Sequence, residues 1–168
     1  MGKHSKLIGS FVQHLQLFLL GGFVIGISNP VTVTIEAIIH SPVESVWNYW
    51  TDPKHITQWN QASEDWHTPY AENDLKVGGK FVSRMEAKDG SFGFDFGGVY
   101  DEVNLNERLA YTIGDGRKVT VIFEPQGKDT KIIQVFETED TNDIEMQQAG
   151  WQAILNNFKK YVENAKDE

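Results

Sequence analysis

The sequence contains no cysteine. That absence excludes a disulfide framework, thiolate metal ligands and a cysteine nucleophile. Positive charge is also scarce: 15 lysines and arginines stand against 24 aspartates and glutamates, for a formal net charge of −9. A chain of that charge repels a phosphate backbone unless it carries a concentrated basic patch. The pair Lys159-Lys160 is too small to be one, so no nucleic-acid partner is expected. The apolar run from Leu17 to Ile27 falls well short of the roughly 20 residues that a membrane helix needs. No stable membrane span is expected either.

Several chemical signatures are missing. His40 and His55 lie far apart and have no companion carboxylate pattern, so no metal site is expected. There is no Gly-x-Ser-x-Gly nucleophile elbow. "VGGK" and "GDGR" are glycine-rich but match no phosphate loop, and both read as turns. No cofactor is implied.

Residues 1–29 differ from the rest. Lys3 and Lys6 precede the apolar run, and Gly26-Ile27-Ser28 offers small residues for cleavage. Two readings follow: a secretory signal, or an unstructured extension or overlong start. The first implies export and the second a cytoplasmic protein, which is the main expectation. Residues 30–165 are expected to form the folded domain.

"VTVTIEAIIH" (31–40) is rich in β-branched residues and predicts a strand. In "SPVESVWNYW", Ser41 is the expected N-cap, Pro42 the first helical residue and Glu44 the capping-box partner. Val43, Val46, Trp47 and Trp50 share one face of that helix. "TDPKHITQW" repeats the device, with Asp52 capping, Pro53 opening, and Ile56 and Trp59 buried. About six further short strands follow, separated by tight turns, which predicts an antiparallel sheet. Near the end, Asn142 is the expected cap of a long helix over about 143–163. Gln147, Trp151, Ile154, Leu155, Phe158, Tyr161 and Val162 form its apolar stripe. That stripe has only the sheet to pack on. The expected fold is α+β: a curved antiparallel sheet of about seven strands around a C-terminal helix, with two short helices after the first strand.

The stretch "RMEAKDGSFGFDFGG" (84–98) alternates Phe92, Phe94 and Phe96 with glycine and aspartate. Asp89-Gly90 predicts a type I′ hairpin turn. A turn there sets Met85 across from Phe94 and Ser83 across from Phe96 on one face. It sets Arg84 across from Asp95 on the other. Ordinary burial preference turns the phenylalanine face inward. Val99 and Val103 then have the wrong parity, which a β-bulge at Gly97-Gly98 would repair. Reversed faces would instead put Arg84 and Asp95 in a polar pocket.

"SPVESVWNYWTDPKHITQWN", "VGGKF", "GGVYDEV", "RLAYT" and "GWQAILNNFKKYV" together resemble a START-like (SRPBCC, helix-grip) domain. Within that group the chain is similar to the family named for the C-terminal domain of the heat-shock chaperone ATPase activator. The resemblance covers about residues 31–164. It implies a sheet curled around the terminal helix with an apolar cavity between them, and it links the chain to stress-response proteins. It also implies lipid carriers, polyketide cyclases and many proteins of unassigned activity as relatives. The chaperone activators carry a further N-terminal domain that 29 residues cannot supply, so chaperone activation is not carried over.

The leading expectation is therefore a module that binds a small hydrophobic molecule. Expected contacts are Met85, Phe94 and Phe96 from the hairpin, with Gln147, Trp151, Ile154 and Phe158 from the helix. Trp59 and Trp66 are expected at the entrance, and Arg84 at the ligand's acidic end if the faces are reversed. A second expectation is a cyclase- or hydrolase-type enzyme using His67 or Asp95 for proton transfer. A third is a chaperone- or protein-interaction module.

Overall fold

The structure, a computed structural model, describes residues 29–165. Apart from its last residue, the leader-like segment 1–29 lies outside the described residues. Strand β1 (Thr32–Ile39) alternates outward threonines with inward Val33 and Ile35. Helix α1 (Val43–Thr51) follows and buries Val46 and Trp47. Its start differs from the expectation. Pro42, not Ser41, is the N-cap, in extended conformation and with no side-chain cap hydrogen bond. Ser41 is still held by the strand: its N–H donates to the Ile39 carbonyl at 2.8 Å. Its own carbonyl accepts from the Thr130 hydroxyl at 2.9 Å. Helix α2 (Pro53–Trp59) forms as expected, with Asp52 Oδ1 accepting from the Lys54 N–H at 2.9 Å.

Six strands complete one antiparallel sheet: β2 (Trp66–Asn73), β3 (Lys80–Ala87), β4 (Gly93–Asn104), β5 (Arg108–Ile113), β6 (Lys118–Gln126) and β7 (Asp129–Glu137). Their order is β1-β7-β6-β5-β4-β3-β2. The strands flanking the helical pair thus lie at opposite edges, and α1 and α2 bridge them. Strand β2 contains Pro69, which cannot donate a ladder hydrogen bond. It is tolerated because β2 is an edge and its register shifts between His67 and Tyr70.

Helix α3 (Ile144–Asn164) buries Gln147, Trp151, Leu155, Phe158 and Val162. Burying each large apolar side chain contributes about 1.5–3 kcal/mol. This stripe, rather than intrinsic propensity, holds the helix on the sheet. Its cap is Asp143, whose carboxylate accepts from the Met146 N–H at 2.7 Å, not Asn142. The Asn142 amide instead donates to Glu139 at 2.6 Å. Trp151 stacks on Phe136 of β7, with centroids 4.5 Å and planes 11° apart. Phe158 lies edge-on to Trp50 and Trp59, at 4.8 and 4.9 Å.

The 81–99 hairpin has the expected register: Met85 pairs with Phe94, Arg84 with Asp95 and Ser83 with Phe96. The turn type is different. Gly90 takes a positive φ of 76°, but Asp89 does not, so the turn is not type I′. The bulge is also elsewhere. Pairing runs unbroken through Gly97 and Gly98, and the register shifts between Tyr100 and Glu102. Asp101 is the extra residue, and it accepts from the Thr112 hydroxyl at 2.7 Å. The inward row therefore continues from Phe94 through Tyr100, Val103 rejoins the core, and Val99 is exposed.

Candidate functional site

The sheet does not close fully on α3. A cavity remains between them, its end covered by α1 and α2. The helices contribute Trp50, Ile56, Trp59, Trp151 and Ile154 to its wall. The sheet contributes Phe81, Ser83, Met85, Phe94, Phe96, Tyr100, Tyr111 and Gln134. Asn60, Glu72 and Asn73 complete the lining. The space open to the centre of a water-sized sphere is about 90 Å³, and all the empty space out to the mouth is about 870 Å³. One such sphere needs only about 10–15 Å³ on the first measure, so the cavity holds more than a single water.

The alternation in β3 and β4 explains both faces of this wall. Inward, Phe81, Met85, Phe94 and Phe96 supply apolar surface, and Ser83 is the small member of the row. Outward, Arg84 Nε lies 2.8 Å from Glu86 and Nη1 lies 3.3 Å from Asp95. A Cβ at Gly93 would sit 2.7 Å from Arg84 Nη2. Glycine thus lets the guanidinium lie across the strand between its carboxylates. Glu86 and Asp95 raise the arginine's pKa, and Arg84 holds the Glu86 carboxyl below its usual range. His67 joins this outer cluster, with Nε2 3.6 Å from Glu86.

Trp59, Met85, Phe94, Phe96, Trp151 and Ile154 thus come together around the cavity. Four other expected contacts do not. Arg84 is on the opposite face of the sheet. Trp66 is buried behind the wall, edge-on to Phe92 and Phe94. Phe158 is fully buried between tryptophans. Gln147 secures the loop before α3, accepting from the Glu139 N–H at 2.9 Å and donating to the Asn142 carbonyl at 2.8 Å. His67 and Asp95 also lie outside the cavity, on the solvated face with Arg84. Among the described residues, no cluster of His, Cys, Asp and Glu could hold a metal ion. No described helix is long and apolar enough to cross a membrane.

The sequence reading missed the polar part of the wall. The Tyr100 hydroxyl donates to Asn73 Oδ1 at 2.8 Å, and the Asn73 amide donates to the Thr51 carbonyl at 2.6 Å. This chain ties β4 and β2 to the end of α1. Tyr111 and Gln134 add two further polar side chains to the wall. Gln134 carried a legible signal: it is a polar residue at an inward position, flanked two residues away by buried Ile132 and Phe136. Trp151 is 7 % exposed, and its Nε1–H is buried without a hydrogen-bond partner.

Burial pushes the Tyr100 phenol up to about 12. Burial also pushes the Tyr111 phenol up, assisted by the neighbouring Tyr100. A raised folded-state pKa favours the protonated form. The resulting stability is fully present below the ordinary tyrosine value of 10.0 and is lost as pH rises towards about 12. Unfolding free energy is expected to fall across that window. Tyr100→Phe is expected to flatten the fall in urea titrations at successive pH values; an unchanged slope would show that Tyr100 ionises freely.

The family described as "Activator of Hsp90 ATPase homolog 1-like protein" matches residues 40–163. The chain belongs to this family. It is similar to the AHSA1-like protein of Aeromonas hydrophila at 43% identity, covering 82% of this chain and 99% of that one, with a TM-score of 0.76. A Cytophaga hutchinsonii protein is 55% identical over 79% of this chain and 92% of its own, with a TM-score of 0.70. A Chromobacterium violaceum protein is 25% identical over 81% and 100%, with a TM-score of 0.71. No curated protein matches the chain. The seven-stranded sheet curled about the terminal helix is the helix-grip arrangement of this AHSA1-like, START-type family.

Proposed function

We propose that this AHSA1-like chain binds a small, largely apolar molecule in the cavity between the sheet and α3. The observation that carries the reading is a ring-lined gap left open between otherwise tightly packed layers, with Phe94, Phe96 and Trp151 among its walls. A core selected only for stability fills such a space, because empty volume forfeits dispersion contacts. A few polar groups among apolar walls are the usual composition of a small-molecule site.

The test uses N-phenyl-1-naphthylamine, a neutral dye whose emission rises in apolar surroundings. Saturable binding is expected. Ile154 is partly buried in the wall on α3. Ile154→Trp fills the gap and is expected to weaken the dye by roughly tenfold or more, with the fold retained by circular dichroism. Undiminished binding to that variant would place the dye elsewhere and remove the proposal's support.

The family description favours a second reading, a module that docks on a chaperone ATPase. A change in Hsp90 ATPase rate on addition of the purified chain would support it; no change and no association would oppose it.

A further inference from the structure

Resting on the cavity reading above, we infer that Gln134 sets the specificity of that cavity. Its carboxamide holds a neutral hydroxyl or amide carried by the occupant, which enters polar end first and leaves its hydrocarbon part towards the mouth.

Gln134 is 5 % exposed and lines the cavity. Its neighbours on that face of the sheet are apolar. Ile132 and Phe136 flank it along β7, and Ile35 of β1 and Val121 of β6 are its cross-strand partners. All four are buried. A carboxamide in such surroundings is costly unless it is hydrogen-bonded, and a core chosen for stability alone takes leucine there. The other buried glutamine, Gln147, shows the usual solution, with bonds to Glu139 and Asn142 that fasten a loop. Gln134 fastens no loop. Nor is its amide sealed away without a partner: among the described residues, the side chains with such atoms are Gln61, Ser63, Arg117 and Trp151. The Gln134 amide thus borders the open cavity. It offers two donors and two acceptor lone pairs, so a contact with Tyr111 in the same wall would leave most of them free.

The direction of entry follows from the strand order. Glu72, the exposed member of the lining, is on the edge strand β2 and marks the side open to solvent. Gln134 is on β7, five strands away. At about 4.8 Å per strand that is roughly 24 Å around the curl. Near the mouth the Tyr100 hydroxyl and the Asn73 amide are already engaged, with Asn73 and the Thr51 carbonyl. A polar head left there keeps its water and gains little. At Gln134 the same head forms its hydrogen bond away from water, where the bond is stronger. A plain hydrocarbon in that place strips the amide of water and offers no partner. The lining contains no lysine, arginine or histidine, so the group held is neutral.

The experiment uses the full chain and two probes of one ring system and similar size, 2-naphthol and 2-methylnaphthalene, both neutral at pH 7. Titrations are followed by ¹H–¹⁵N spectra. A cavity with apolar contacts alone prefers the hydrocarbon, because the hydroxyl loses water on entry. The reverse is expected here: 2-naphthol binds about tenfold or more tightly than 2-methylnaphthalene, as in sites built to hydrogen-bond a hydroxyl. In Gln134→Leu, which keeps the side-chain volume, the preference is expected to return to the hydrocarbon. Circular dichroism checks the fold of this variant, and Gln134→Met, which keeps the unbranched shape, takes its place if the leucine variant does not fold. A preference for the hydrocarbon in the parent chain overturns the inference while leaving the cavity reading intact. So does a naphthol preference that survives the loss of the amide. If neither probe perturbs any cavity resonance at saturation, the cavity reading itself fails and the inference falls with it.

Discussion

Phe158→Ala is expected to lower folding stability by about 3–5 kcal/mol, the largest single loss available on α3. Phe158 is 0% exposed and stands edge-on between Trp50 of α1 and Trp59 of α2. Removing the ring leaves a hole bounded by two rigid indoles, each anchored in a different helix, so the site collapses poorly. Typical domains have only about 5–15 kcal/mol in total, so the variant is expected to unfold at markedly lower urea. The measurement is a urea titration by tryptophan fluorescence and circular dichroism. A loss below about 1 kcal/mol would mean that α3 does not depend on this ring for docking. Phe158→Leu, which keeps most of the apolar volume, is expected to recover much of the loss.

Gly98→Ala is expected to be the second large effect, although it adds only one methyl group. A Cβ at Gly98 would lie 2.3 Å from the Thr112 carbonyl oxygen and 3.1 Å from Phe81 Cε1. The carbonyl belongs to the backbone of β5 and cannot rotate away. Relief requires β4 and β5 to separate, at a cost of about 1–3 kcal/mol or more. Phe81 and Tyr111, which lie edge-on at 5.0 Å in the cavity wall, are the side chains next to the strain. The urea midpoint is expected to fall, and dye affinity to change with it. A variant as stable as the parent would show that the strands at this point are free to move apart.

These two residues illustrate what the sequence disclosed. Phe158 was legible because its helical spacing from Trp151, Leu155 and Val162 repeats an apolar stripe. Its exact neighbours were not, because they come from helices a hundred residues away in the chain. The stripe alone therefore does not distinguish a cavity wall from the layer behind it, where Phe158 packs against Trp50 and Trp59. Gly98 shows the opposite problem. The Met85–Phe94 and Ser83–Phe96 pairings followed from period-two alternation and an Asp-Gly turn. A glycine has no side chain to reveal which face it is on, so the parity change was assigned to Gly97-Gly98. It is absorbed at Asp101, beside Tyr100, and this hid Tyr100 from the expected site. The caps failed on a finer scale. Ser41 and Pro42, or Asn142 and Asp143, differ by one position, and a cap is worth only about 1 kcal/mol. Neighbouring contacts such as Thr130 to Ser41 and Asn142 to Glu139 decide between them.

The strand order has a consequence for how this chain comes off the ribosome. β1 pairs only with β7, Thr32 with Glu137 and Ile39 with Thr130. During synthesis β1 emerges long before its mate exists, while β3, β4, β5 and β6 can zip up hairpin by hairpin. Closing so long a loop is slow compared with forming local hairpins. Until β7 appears, β1 remains an unpaired apolar ribbon, the part of the nascent chain most in need of shielding from other chains.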